Sequence, residues 1–139
     1  MNREILFKAK RLDNGEWVEG YLFEFQPCQY MICDKKEYER SSTLPVLCFF
    51  RCCGYEIDPD TLCEYTGLTD KNGQKIWEND ILYVGESTKL RVSWHHSKAS
   101  WVLSKKGWMY NHFFSEAVEP EDVEVIGNIF DNPELLEVE

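Results

Sequence analysis

Apolar residues in this chain come in short bursts, many of them at alternate positions, separated by clusters of Asp, Asn, Gly, Pro and Ser. Alternation marks strands, because successive side chains point to opposite faces of a sheet. Ile5 to Lys10 predicts a first strand, Asp13-Asn14-Gly15 a hairpin turn, and Glu16 to Phe25 a second strand. In that second strand Trp17, Tyr21, Phe23 and Phe25 share one aromatic face interrupted by Glu19, while Val18 and Leu22 point the other way. Two partly apolar faces suit a strand that is covered on both sides or that lies at an interface. Gln26-Pro27 breaks the run, and Tyr30 to Cys33 is at most a short strand. Asp34 to Thr43 is charged and polar and reads as an exposed loop; Val46 to Phe50, entered through Pro45, is apolar and β-prone.

The densest information lies between Ile57 and Val84. Asp58-Pro59-Asp60 is a turn signal, since proline presets φ at the second turn position and Asp bonds backbone amides two residues on. Thr61 to Tyr65 follows as a strand, and Gly67 marks a tight turn or a close backbone approach. Asp70-Lys71-Asn72-Gly73 predicts a hairpin in which Asn72 and Gly73 both tolerate positive φ. Ile76-Trp77, the polar turn Glu78-Asn79-Asp80 and the β-prone run Ile81 to Val84 complete the stretch. Beyond it, Leu90 to His95, Ser100 to Leu103, Trp108 to Tyr110 and Val123 to Phe130 predict further strands, with 111–117 ambiguous between a strand and one helical turn. Asn132-Pro133-Glu134 reads as the start of a short C-terminal helical turn, with Asn as cap, Pro at the first helical position, and Leu135 and Leu136 docking it on the core.

Strands this short, joined by turns at intervals of about eight to twelve residues, predict an all-β fold. The spacing from Ile76 to Tyr110 suits a small, strongly bent β-barrel of SH3-like type, with additional strands and the helical turn. A single domain over residues 1–139 is expected, with an N-terminal β part over 1–56 and a barrel-like part over 57–139.

The central stretch also resembles the YopX family of phage and prophage proteins. The resemblance rests on Tyr65-Thr66-Gly67-Leu68, Asp70-Lys71-Asn72-Gly73, Ile76, Glu78, Asp80 and Ile81, and on the block Val125 to Leu136. Phe7-Lys8-Ala9 with Trp17-Val18-Glu19-Gly20 adds a weaker match. The family usually has Gly where this chain has Asn79; Asn accepts left-handed φ, so the turn is expected to survive. Residues 26–51 and the cysteines match nothing in the family's pattern. The resemblance implies an accessory protein without settled biochemical role, and supports the barrel expectation.

Composition narrows the functional classes. A chain of 139 residues buries about two-thirds of its unfolded surface, enough for a core without staples. Aromatics at 14% argue against disorder. A net charge of −10 disfavours a phosphate-tracking surface, favours solubility, and leaves open a basic protein partner or mimicry of nucleic-acid charge. Met1-Asn2-Arg3-Glu4 is charged and only Ile5-Leu6-Phe7 follows, so no signal peptide is read there. No stretch approaches the roughly 18 apolar residues of a membrane span. A cytoplasmic location, with the six cysteines as reduced thiols, is the expectation.

Each group that could carry chemistry has a structural reading beside it. Cys28 and Cys33 are a loose pair, Cys52-Cys53 are adjacent, Cys48 and Cys63 stand apart, and His95, His96 and His112 come later. This is poor zinc-ligand spacing, and buried thiols pack as small hydrophobes. His95-His96 lacks a recognisable catalytic partner. Asp58, Asp60, Asp70, Glu78 and Asp80 form an acidic series of the kind a two-metal hydrolase uses, but each lies where a turn needs it. Trp17, Tyr21, Trp77, Trp94, Trp101 and Trp108 could stack bases beside Lys89, Arg91, Lys98, Lys105 and Lys106; core or interface packing is the competing reading. No catalytic, cofactor or metal residue is therefore assigned, and Gly67, Asn72, Gly73, Asp80, Gly127 and Asn128 are expected to determine the fold. The expected role is a non-enzymatic protein acting through protein–protein contact with itself and with a host or phage protein. A nucleic-acid-linked protein and a metal-dependent hydrolase are the alternatives.

Overall fold

The computed structural model describes residues 4–40, 54–85, 88–105, 112–113 and 119–136, without the side chains of 38–40 and 112–113. The expected strand Val46 to Phe50 and the Trp108 to Tyr110 run lie outside the described residues. The described chain is all-β, with one short α-helix and 3-10 turns between the strands. It divides into two compact units, residues 1–64 and 65–139.

In the first unit β1 (Phe7–Lys10), β2 (Trp17–Gln26), β3 (Gln29–Asp34) and β4 (Gly54–Glu56) form an antiparallel sheet in the order β4-β3-β2-β1. The opening residues of β5 (Cys63–Thr69) extend it, Lys8 pairing with Cys63 and Phe7 with Glu64. The predicted alternation of β2 sets the register. Val18 lies opposite Ala9 and Leu22 opposite Ile32, and this face packs Ala9, Val18, Ile32 and Ile57 against Phe7, Leu22, Tyr30, Tyr55 and Leu62. Gly20 is required by a close approach: a Cβ there would sit 1.9 Å from the Cys33 carbonyl oxygen.

Two details of the first unit differ from the sequence reading. Lys35–Arg40 is a helix, α1, where a loop was expected. Its N-terminus is capped by Asp34, whose Oδ1 accepts from the amides of Lys36 at 2.8 Å and Glu37 at 3.2 Å. A segment with no apolar period gives no amphipathic signal, so only the cap and the helix-favouring Lys and Glu residues marked it. Strand β4 was also not foreseen; its three residues are too few to show alternation.

In the second unit the rest of β5 pairs with β6 (Lys75–Trp77), Tyr65 opposite Trp77 and Thr69 opposite Lys75. The ladder is irregular between these pairs, and Gly67 takes φ +88° there. A five-stranded antiparallel sheet runs β10-β9-β8-β7-β11, from β7 (Asp80–Val84), β8 (Thr88–His95), β9 (Ser100–Ser104), β10 (His112–Phe113) and β11 (Val123–Asn128). Leu82, Leu90, Val92, Leu103 and Val123 bury one face together with Ile76. The ambiguous 111–117 segment contributes β10.

The closed, strongly bent SH3-like barrel is not what these pairings make. Among the described residues β10 and β11 are the edges of an open sheet. Short strands and tight turns specify antiparallel neighbours, whereas closure depends on long-range pairing that local spacing does not encode. The Asp70 hairpin is a three-residue loop: Asp70 donates its amide to Gln74 O, and of Asn72 and Gly73 only Gly73 has positive φ, +78°. The C-terminal turn Pro133–Leu136 is a 3-10 turn, and the Asn132 side chain accepts from Asn128 N rather than capping it.

Candidate functional site

The polar residues singled out in the sequence converge on the turns of the second unit. Asp70 is 5% exposed, yet both carboxylate oxygens are occupied. Oδ1 accepts from the amides of Asn72 and Gln74, each at 2.9 Å, and Oδ2 accepts from Val125 N at 2.9 Å. The first two bonds build the hairpin loop. The third ties that loop to β11, fifty-five residues further along the chain. Lys71 N adds a 3.0 Å bond to Val123 O, so the loop covers the outer edge of β11. A sheet edge left open offers its amides and carbonyls to other strands, and here Asp70 and Lys71 occupy two of them. Burial pushes the Asp70 carboxyl up, but the amides of Val125, Gln74 and Asn72 and the charge of Lys71 outweigh it and hold the pKa below the usual aspartate value.

Asp80 is 2% exposed and accepts the Trp77 amide on Oδ2 at 2.8 Å, closing the turn between β6 and β7. Asn79, in that turn, takes φ +71°, the left-handed conformation expected of it. Its amide donates to Val92 O, its carbonyl accepts from Ile129 N, and its Oδ1 accepts from Arg91 Nη2 at 2.8 Å. Asn128 Oδ1 accepts from the amides of Phe130 and Asp131. Gly127 stands against Asn132, whose Oδ1 would lie 2.5 Å from an added Cβ. The bonds of Thr66 were not read from the sequence: its hydroxyl donates to Ile76 O at 2.7 Å and accepts from Leu68 N at 3.1 Å across the irregular part of the β5–β6 ladder. A Thr within a strand carries no signal that distinguishes it from any other β-branched residue.

The acidic series is therefore split. Asp58 and Asp60 belong to the first unit, where Asp58 Oδ1 accepts from Asp60 N at the head of the 3-10 turn Pro59–Thr61. Asp70, Glu78 and Asp80 belong to the second unit. Among the described residues no three His, Cys, Asp or Glu side chains are grouped to hold a metal ion. Cys33 and Cys63 are buried and Cys28 is exposed at the β2–β3 hairpin; Cys48, Cys52 and Cys53 lie outside the described residues. His95 Nδ1 accepts the Lys98 amide at 3.2 Å, capping the 3-10 turn His96–Lys98, and His96 is exposed.

The aromatic and basic residues are brought together only in part. Trp17 and Tyr21 lie in the first unit, Trp17 beneath Lys8 Nζ at 4.7 Å and Lys10 Nζ at 5.5 Å. Trp77 packs on Tyr65 with ring centroids 5.4 Å apart. Trp94 and Trp101 face each other across β8 and β9, edge to face, at 5.0 Å. They share their face of the sheet with Leu90 and Val92, whereas Lys89 and Arg91, at the intervening positions of β8, point to the other. The indole pair and the two cations are thus on opposite sides of one sheet. Lys98 sits at the hairpin tip, Lys105 just beyond β9, and Lys106 and Trp108 outside the described residues. Among the described residues Arg91 Nε, Ser100 Oγ and Trp101 Nε1 are enclosed without a hydrogen-bond partner, but Trp101 faces away from the other two.

The turns that carry these bonds, Asp70 to Gly73, Glu78 to Asp80 and Gly127 to Asn132, fall within the two strongest blocks of the resemblance described above. The sequence profile described as YopX protein matches residues 6–137. The chain belongs to the YopX family. Among solved structures, this YopX protein is similar to the crystal structure of protein EF1440 from Enterococcus faecalis. The two are 21% identical over 98% of this chain and 100% of that one, with a TM-score of 0.54. That likeness speaks to the fold. No curated protein matches the chain. Among the described residues no helix is long and apolar enough to cross a membrane.

Proposed function

We propose that this YopX protein is a non-enzymatic accessory protein of a phage or prophage, acting in the host cytoplasm through protein–protein contact and self-association. The observation that carries this reading is the use made of the reactive side chains. The Asp70 carboxylate is saturated by three backbone amides, Asp80 holds the Trp77 amide, and His95 Nδ1 holds the Lys98 amide. A general base or metal ligand needs a lone pair aimed at a reactant, and these point into turns. The opposite placement of the indole pair and of Lys89 and Arg91 further favours a protein partner over single-stranded nucleic acid, which requires both on one track.

The test is an affinity pull-down of the tagged full chain from host lysate, with and without nuclease, read by mass spectrometry and nucleic-acid staining. A stoichiometric protein partner that survives nuclease is the expected result. Recovery of nucleic acid, or of partners that vanish on nuclease treatment, would overturn the reading in favour of a nucleic-acid-linked role.

A further inference from the structure

Arg91 Nε and Ser100 Oγ, both enclosed without a hydrogen-bond partner among the described residues, lie on one face of the five-stranded sheet. The register gives that face its chemistry. Lys89, Arg91 and Ser93 point to it from alternate positions of β8, and Ser104 of β9 stands directly opposite Arg91. Same-face neighbours along a strand are about 7 Å apart, and directly opposed Cβ atoms about 5 Å apart. The long Lys and Arg side chains and the two hydroxyls can therefore meet over one spot. All four residues are half-buried, so that spot is neither sealed nor fully open to water.

Charge sets these residues apart. The chain has 25 acidic against 15 basic residues, yet among the described residues no carboxylate pairs with Lys89 or Arg91. The acid that the described strands place on this face is Glu124 of β11, opposite Tyr83, and it pairs with Lys71 at 3.5 Å. Arg91 gives Nη2 to Asn79 Oδ1 at 2.8 Å, which anchors the guanidinium but leaves Nε without an acceptor. A guanidinium stays charged at any ordinary pH, and an enclosed donor on a charged group is costly while it lacks an acceptor.

We infer that Lys89, Arg91, Ser93 and Ser104 form a binding site for a single phosphate-type oxyanion, either free or as the monoester of a small molecule. Arg91 turns to present Nε and an Nη together, the bidentate form in which arginine holds phosphate. Lys89 adds a point charge, and the hydroxyls add donors from a third direction. Donors so spread suit a tetrahedral dianion better than a flat carboxylate, which one guanidinium already satisfies. The net charge of −10 does not oppose this, because at physiological salt charges more than about 8 Å away are largely screened. A single phosphate group is the ligand rather than a polynucleotide, since the Trp94–Trp101 pair that could stack bases lies on the other face. The site is independent of the protein–protein reading above.

The test is isothermal titration calorimetry of the full chain at low ionic strength, with inorganic phosphate, glycerol 3-phosphate and acetate as probes. The natural protein is compared with Arg91→Lys, Lys89→Gln and Lys98→Gln, each checked for fold by circular dichroism. Arg91→Lys keeps the charge and removes the fork. Lys89→Gln leaves the Arg91–Asn79 bond in place and keeps the test open if Arg91→Lys disturbs the turn. Lys98, exposed at the tip of the β8–β9 hairpin, controls for general loss of positive charge. Saturable binding of phosphate, free or esterified, is expected to be about tenfold or more tighter than that of acetate. Arg91→Lys and Lys89→Gln should each weaken it about tenfold or more, and Lys98→Gln should leave it unchanged. The tighter of the two phosphate probes tells the ester from the free ion. Absence of saturable phosphate binding, acetate binding as tightly as phosphate, undiminished binding in both Arg91→Lys and Lys89→Gln, or equal loss in Lys98→Gln would overturn the site.

Discussion

Replacing Asp70 with Asn removes one carboxylate oxygen and the charge while keeping the size of the side chain. Whichever way the amide is turned, its single oxygen serves either the Asn72 and Gln74 amides or the Val125 amide, and its NH2 group faces the donors it leaves behind. The milder orientation keeps the hairpin loop and strands Val125 N–H. A hydrogen bond to a charged acceptor contributes about 1.5–3 kcal/mol and an orphaned buried donor costs about 1–3 kcal/mol. These overlap, so Asp70→Asn is expected to lose about 2–4 kcal/mol, and Asp70→Ala, which strands all three amides, somewhat more. Urea denaturation measures the total. Amide hydrogen exchange places it: Val125 should exchange much faster in Asp70→Asn while Asn72 and Gln74 change less. The difference from the natural protein should also depend on pH. The native carboxyl titrates below its ordinary value of 3.8, so the folded state binds fewer protons than the unfolded one near that pH. The contribution is therefore fully present above the unfolded value and disappears as pH falls through the native one. A stability change under about 0.5 kcal/mol at pH 7, the scale of an ordinary surface substitution, or one that persists unchanged at pH 2, would refute the reasoning.

Gly20→Ala should cost several kcal/mol or prevent the first unit from folding, because the new Cβ would lie 1.9 Å from the backbone oxygen of Cys33; circular dichroism and soluble yield report it. Gly127→Ala should be milder, about 1–3 kcal/mol by urea denaturation, since the obstacle is the movable side chain of Asn132. Ala99 is exposed and holds φ +48° at the end of the His96–Lys98 turn, so Ala99→Gly should raise stability by up to about 1 kcal/mol. Among Cys28, Cys33 and Cys63, mass-mapped alkylation of the native protein should label Cys28 first and leave the other two until unfolding.

Much of this protein was legible in the sequence, for a local reason. Alternation in Glu16 to Phe25, as far as the irregularity after Glu24, and in Leu90 to His95 fixes which side chains share a face, because the period of a strand is a property of the backbone alone. Turn chemistry at Asp13 to Gly15, Asp58 to Asp60 and Glu78 to Asp80 likewise depends on a few neighbouring residues, and Asp58 and Asn79 do what their residue types suggest. Family membership was readable from the blocks Tyr65 to Ile81 and Val125 to Leu136. What the sequence could not supply was which strand lies beside which. Tertiary structure alone left β10 and β11 as the edges of their sheet among the described residues and set the Trp94–Trp101 pair opposite Lys89 and Arg91. It also ended the β1–β2 pairing at Phe7, opposite Gly20, while β2 runs on to Gln26 beside β3. Asp70 shows the division in one residue: its bonds to Asn72 and Gln74 follow from the loop, but its bond to Val125 crosses fifty-five residues. Only the folded sheet places that amide within reach, because spacing along a chain fixes the geometry of a turn and says nothing of its distant neighbours.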